Sequence, residues 1–301
     1  MGTTDSIDAV AIIGFGEAGS ILGADLAAQG VAVRTYDILL DAAASHSALR
    51  ARAVAAGVRA LDSLAAAVAG CELVISAVTA GNAGAVAGAA GALLRPGQWY
   101  LDINSVAPDS KRDNARRVEA GGACYVEAAV MAPVPPQRLG VPMLLGGARA
   151  AELAPRLAAR GLNVEVVAGT VGVAAAIKMC RSVMIKGLEA LAVECLFAAR
   201  RHGAEDAVLA SLERSFPGMG WTGQLPDYLV SRVAEHGRRR AAEMREVATT
   251  IAAAGVEPLM SAATARRQDE LVDRMAASGV PYAAAGFSWR ALADALSRAA
   301  G

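Results

Sequence analysis

Three groups of residues in this chain have the types and spacing to do chemistry. The first is the run Ala9-Val-Ala-Ile-Ile-Gly14-Phe15-Gly16-Glu17-Ala18-Gly19, a G-x-G-x-x-G triplet that follows an apolar run and opens a helix. Gly14 permits a tight turn, Gly16 lets backbone approach a pyrophosphate, and Gly19 lets helix and strand pack closely. Gly23 and Ala27 continue the Gly19 face at four-residue spacing. The helix start offers unpaired N–H groups and a positive dipole end to phosphates, with Phe15, Glu17 and Ala18 lining the loop. Asp37, 18 residues after Gly19, is placed to accept from both ribose hydroxyls and to repel a 2′-phosphate. Ile38, Leu39 and Leu40 follow it, so NAD is favoured over NADP. A ligand-free glycine turn beside a surface aspartate is the plain alternative, and the agreement of strand, helix and acid argues against it. Val78 and Thr79 end a later strand and should line the cofactor, although an ordinary strand-to-helix turn serves equally at Thr79.

The second group is Lys178 in Gly172-Val-Ala-Ala-Ala-Ile-Lys178-Met. Its neighbours are apolar, so part of this helix should be buried, and desolvation would lower the lysine pKa. Such an amine can take a proton from an alcohol near neutral pH and return it. A lysine that snorkels to the helix surface fits the same pattern. The third group is Asn104 and Ser105, directly after the strand ending at Ile103 and on the ligand-facing rim. Helix capping and turn formation also favour these residue types.

The elements that must position these groups are of two kinds. The first half alternates β-branched runs with alanine-rich stretches, the pattern of βαβ units in a doubly wound, mostly parallel Rossmann sheet. Strands are expected at Ala9–Ile13, Val31–Tyr36, Leu73–Val78, Trp99–Ile103, Cys124–Ala128, Met143–Leu145 and Val164–Val167. Helices fit at Ala18–Gln29, Asn82–Leu94, Pro108–Ala120 and Ala151–Arg160. After Gly169 the strand signal stops, so residues 1–169 form the Rossmann domain and 170–301 an all-helical domain. Gly172 to Arg201 reads as one joining helix about 45 Å long. Further helices are expected near Ala204–Ser215, Pro226–Ala253 and Pro258–Ala277 and from Ser288, with a loop over Ser215–Pro226.

Lys plus Arg and Asp plus Glu both number 29 in the 301 residues, which argues against a nucleic-acid or membrane-surface binder. The uncharged stretch Leu73 to Leu94 is broken by Asn82 and four glycines and reads as strand, turn and helix rather than a membrane span. Met1 to Asp8 carries two acids and no base, unlike a secretory signal. Four scattered cysteines fit reduced thiols in the cytoplasm, and no metal site is expected from them or from the three histidines.

Taken together, the glycine loop, Asp102-Ile-Asn-Ser105 with Pro108 behind it, the Gly146-Gly147 turn and the helical Lys178 resemble the β-hydroxyacid dehydrogenases. That group includes 3-hydroxyisobutyrate dehydrogenase and 6-phosphogluconate dehydrogenase. The resemblance implies a Rossmann domain, a long helix, an all-helical second domain and a dimeric or tetrameric state, and a homodimer through the helical domain is expected here. It also implies oxidation of a hydroxyl on a small carboxylate-bearing substrate, with Lys178 as acid/base and Ser105 holding the carboxylate. Two departures stand out. The family's D-x-x-V-S-G-G substrate loop is Glu127-Ala-Ala-Val130-Met131-Ala132-Pro133 here, so Met131 takes the place of the serine and Pro133 lacks an amide. Arg181 stands near the family's usual asparagine, nearly one turn beyond Lys178, where it could anchor a carboxylate or phosphate. A salt bridge on the helix surface would place it equally well.

The run Lys186-Gly187-Leu188-Glu189 and the pattern His236, Arg239, Arg240, Glu243, Met244 resemble a phosphogluconate dehydrogenase-like branch. There His236 and Arg240 share a helix face that could reach the active site, while Arg238 fits a solvated surface. Two other readings stay open: an imine reductase of the same architecture, and an NAD-sensing protein without turnover.

Overall fold

The computed structural model describes residues 6–299. Residues 1–5 of the acidic stretch Met1–Asp8 lie outside the described residues. The chain divides into two compact units, Met1–Lys178 and Met179–Gly301.

The first unit holds eight strands: β1 (Ala9–Ile13), β2 (Ala32–Tyr36), β3 (Arg59–Ala60), β4 (Leu73–Ser76), β5 (Trp99–Asp102), β6 (Cys124–Val130), β7 (Met143–Gly146) and β8 (Val164–Ala168). Its helices are α1 (Glu17–Ala28), α2 (Ala43–Ala55), α3 (Leu64–Val68), α4 (Ala80–Gly91), α5 (Pro108–Glu119), α6 (Val134–Gln137) and α7 (Ala150–Ala158). The strands form one sheet in the order β3-β2-β1-β4-β5-β6-β7-β8. Neighbours pair in parallel except β6 with β7, so the sheet is Rossmann-like and mostly parallel. Both faces are covered, which is why the strands read as continuous apolar runs. Val10, Ile12, Leu73 and Ile75 pack with Leu22, Leu26, Leu49 and Leu153 on one face. Ala11, Val74, Tyr100 and Tyr125 pack with Ala87, Ala90, Ala115 and Val118 on the other.

Several boundaries shift for local reasons. The strand expected to reach Val78 stops at Ser76, because the Val78 N–H donates to Asn104 Oδ1 (2.7 Å) rather than to a ladder. Val31 likewise closes the helix end, donating to Leu26 O, so β2 starts at Ala32. Conversely, β6 runs on to Val130 because β7 pairs with it antiparallel, Val130 opposite Met143. α2, α3, α6 and the two-residue β3 are additional to the elements expected from the sequence. Leu73 to Leu94 forms β4, a turn and α4, and no helix among the described residues is long and apolar enough to cross a membrane.

Beyond Gly169 the regular elements among the described residues are helices: α8 (Val173–Arg201), α9 (Glu205–Ser215), α10 (Leu225–Ala253), α11 (Leu259–Ala277) and α12 (Trp289–Arg298). The first turns of α8 belong to the sheet unit. In the second unit Val193 and Leu196 of α8 pack with Val230 and Val233 of α10, Leu271 of α11 and Trp289 of α12.

Candidate active site

The strand order reverses at β1, whose neighbours are β2 and β4, and ligands of doubly wound sheets sit at that crevice beyond the carboxyl ends of the strands. There Gly14 has φ +88°, and a Cβ on it would lie 2.5 Å from Ala77 O. A Cβ on Gly19 would collide with the Gly14 carbonyl, so helix and loop can approach only as glycines. Around Gly16 nothing lies within 4 Å of a Cβ position. Gly16 is also the N-cap of α1 and supplies no side-chain cap, so the helix start is open to a phosphate. That open cradle fits a dinucleotide pyrophosphate.

The Phe15 side chain is fully buried in the core, so only its backbone belongs to the loop. Its N–H donates to Asp37 Oδ2 at 2.7 Å, while Asp37 Oδ1 accepts from Leu39 N at 2.9 Å. Asp37 therefore ties the glycine loop to the end of β2 from the ribose position, an arrangement the sequence reading did not foresee. Thr79 is the exposed N-cap of α4, and its Oγ1 accepts from Asn82 Nδ2. Glu17 is exposed and Ala18 half-buried at the start of α1.

The second part of the site begins at β5. Asp102 is fully buried at the end of this strand. Its Oδ1 accepts from Asn104 N, Asn104 Nδ2 and Lys111 Nζ, the last at 2.8 Å. Its Oδ2 accepts from Asn114 Nδ2 and from Tyr125 OH at 2.8 Å. Burial pushes the Asp102 carboxyl up, but the Lys111 ammonium and these hydrogen bonds outweigh it and hold it below the usual carboxylate range. Asn104 spends its amide protons on Ser76 Oγ and Asp102, and its oxygen accepts from Val78 N. This corrects the expectation that Asn104 contacts substrate: it is a 4% exposed strut joining the ends of β4 and β5.

That strut fixes the turn carrying Ser105, which is half-buried at the rim. Lys178 Nζ donates to Ser105 Oγ at 2.6 Å, across 73 residues of sequence. The two residues expected to do the chemistry thus meet within the sheet unit. The residues missed are Lys111, Asn114 and Tyr125. In the polar run Pro108-Asp-Ser-Lys111-Arg-Asp-Asn114-Ala-Arg-Arg the two from α5 look like surface residues, and nothing local marks them as buried.

The remaining candidates are described each within its own unit. Met131 is half-buried after β6, and its N–H donates to Pro142 O. Arg181 is exposed on α8, in the second unit. His236 is half-buried with Nε2 3.3 Å from Glu235 Oε2. Arg240 is buried and grips Glu189 through both its Nε (2.6 Å) and Nη2. Lys186 pairs with Glu243 in the same way, so the two motifs of the phosphogluconate dehydrogenase-like branch meet each other inside the helical unit. Arg238 is exposed and pairs with Asp269 and Asp273, as a surface residue should.

Residues 9–169 match the family model of the NAD binding domain of 6-phosphogluconate dehydrogenase, and residues 199–271 match a domain of unknown function, DUF1932. A conserved hypothetical protein from Sinorhizobium meliloti is 38% identical over 98% of each chain, with a TM-score of 0.76. The conserved protein MTH1747, whose structure is described as similar to 3-hydroxyacid dehydrogenases, is 34% identical over 88% of this chain and 97% of its own (TM-score 0.70). A Mycobacterium tuberculosis 3-hydroxyisobutyrate dehydrogenase solved with L-serine shares the fold, at 17% identity over 96% and 99% of the chains and a TM-score of 0.72. The chain belongs to the β-hydroxyacid dehydrogenase family, as an oxidoreductase-type protein with a domain for a nicotinamide cofactor.

Proposed function

We propose that this chain is an NAD-dependent dehydrogenase that oxidises the hydroxyl of a small hydroxy acid or β-hydroxy amino-acid-like substrate, with Lys178 as general acid/base. The contact of Lys178 Nζ with Ser105 Oγ, just past the carboxyl end of β5 in the sheet that also carries the cofactor cradle, carries this reading. Bound at that cradle, the nicotinamide dinucleotide would supply the hydride acceptor. Lys178 as the free amine takes the hydroxyl proton as the carbonyl forms, and as the ammonium returns it in the reverse direction. Ser105 Oγ accepts from the amine, orienting it, and offers its own O–H to the substrate carboxylate. Asp37 supports NAD over NADP, because a 2′-phosphate would meet its carboxylate.

The test is NADH absorbance after mixing the purified protein with NAD or NADP and a panel of hydroxy acids, β-hydroxy amino acids and sugar acids. L-serine heads the panel because the M. tuberculosis protein was solved with it. Turnover of one alcohol with NAD preferred supports the reading. Activity confined to added imines would replace it with imine reduction, and dinucleotide binding without turnover of any compound would replace it with NAD sensing.

The assembly belongs to the same reading: a homodimer through the helical unit, with no nucleic acid or membrane partner. Met184 (74% exposed) and Leu191 (53%) lie seven residues apart on α8, a spacing that suits a helix seam with a second copy. Light scattering should give twice the chain mass, falling when both residues are changed to glutamate. A monomer in the parent protein would overturn this.

A further inference from the structure

Asp102 and Glu127 are opposite one another in the register of β5 and β6, and both are fully buried. They point to the sheet face that carries Tyr100 and Tyr125, since side chains two apart on a strand share a face. What each holds differs. Asp102 holds the turn of Asn104 and Ser105, as described above. Glu127 holds the start of α8: its Oε1 accepts from Gly172 N (2.6 Å) and Ala174 N (3.1 Å), and its Oε2 from Ala175 N (3.4 Å). These amides are the orphan donors of a helix start, and a carboxylate there also meets the positive end of the dipole. Lys178 follows Ala174 by four residues, one turn along the same helix.

The surroundings are shaped for this carboxylate. A Cβ on Gly146 would collide with Glu127 Oε1, so Gly146 leaves the space that Glu127 fills. Lys111, salt-bridged to Asp102, also acts electrostatically on Glu127. Burial pushes the Glu127 carboxyl up, against the pull of Lys111 and the three amides. The Asp102 carboxylate thus has a salt-bridge partner in this dry place, and the Glu127 carboxyl is held chiefly by backbone amides.

We infer that Asp102 and Glu127 are paired positioning residues: Asp102, held by Lys111, sets Ser105, and Glu127 sets Lys178. Neither touches substrate; together they fix the distance between the two groups that do. This inference deepens the proposed function and rests on it only for its kinetic arm.

The experiment reads Lys178 directly. The chain has three lysines, and Lys111 (2% exposed) and Lys186 (6%) are buried, so an amine-acylating reagent followed by peptide mass spectrometry reports chiefly on Lys178. Glu127→Gln keeps the size and removes the charge, while Gly146→Ala keeps the charge and displaces the carboxylate. Both should raise the acylation rate of Lys178 several-fold, as Ser105→Ala should by removing one hydrogen-bond partner, with Lys111 and Lys186 still protected. With a turned-over substrate, kcat should fall about 10- to 100-fold at unchanged affinity for NAD. The inference is overturned if Lys178 acylates at the parental rate in both variants. It is equally overturned if Lys111 and Lys186 become reactive alongside Lys178, because Glu127 is then a general support of the fold. Altered labelling with no alcohol oxidised would leave the positioning pair standing and remove the dehydrogenase reading instead.

Discussion

Replacing Lys178 by alanine should lower kcat by about 10²- to 10⁴-fold, the range set by loss of one general acid/base, with NAD affinity unchanged. The reasoning is positional. Lys178 lies on α8 and its amine meets Ser105 Oγ at the end of β5, whereas the cradle is built from the β1–α1 loop and Asp37. The variant removes no atom of the cradle, so a cofactor titration followed by fluorescence should superimpose on that of the parent. Lys178→Arg should be nearly as inactive, because a guanidinium does not give up its proton in this pH range. Loss of cofactor binding in either variant would contradict this account of two separate parts.

The second large effect is on stability and lies in the helical unit. Arg240→Ala should destabilise that unit by about 3–5 kcal/mol, since it strips the buried Glu189 carboxylate of its hydrogen-bonded ion-pair partner. Glu189 is 1% exposed and its two oxygens are held by the Arg240 fork. Burial pushes the Glu189 carboxyl up, and Arg240 is first among the cations that oppose this. In the variant the folded-state pKa rises further above the unfolded value. The deficit should therefore be small in acid, where the carboxyl is protonated in both states, and grow as pH rises towards neutrality. Glu189→Leu with Arg240→Met should recover most of the loss or exceed the parent, because desolvation is removed along with attraction. Urea unfolding followed by ellipticity measures all three. Equal losses in the single and double variants would show that the pair is not what these positions contribute.

These effects differ in how far the sequence alone discloses them. The glycine loop is legible because its chemistry is backbone: three spacings and a following acid state the turn, the phosphate approach and the helix contact. Lys178 and Ser105 are legible as candidates, yet their 2.6 Å contact depends on α8 returning to the end of β5, which no local pattern states. Asn104 misleads for the converse reason. Its type suits a ligand as well as a strut, and only Ser76, Val78 and Asp102 around it decide the matter. Lys111 and Asn114 are hidden by the polar helix that carries them, and Glu127 by a helix start 45 residues further on. The basic run Arg238, Arg239 and Arg240 can be divided in principle by the helical period, but the partner that makes Arg240 internal, Glu189, comes from another helix. Local chemistry is therefore readable here, and long-range pairing of buried charges is not.

The measurement closest to the central claim is chemical rescue of Lys178→Ala by small primary amines, at fixed pH and with a substrate that the parent protein oxidises. The account predicts that methylamine or ethylamine restores NADH formation in proportion to the free base present, and that rescue improves with amine basicity. An unrescued variant as active as the parent would contradict it, and the proton would then have to leave the alcohol through some group other than Lys178.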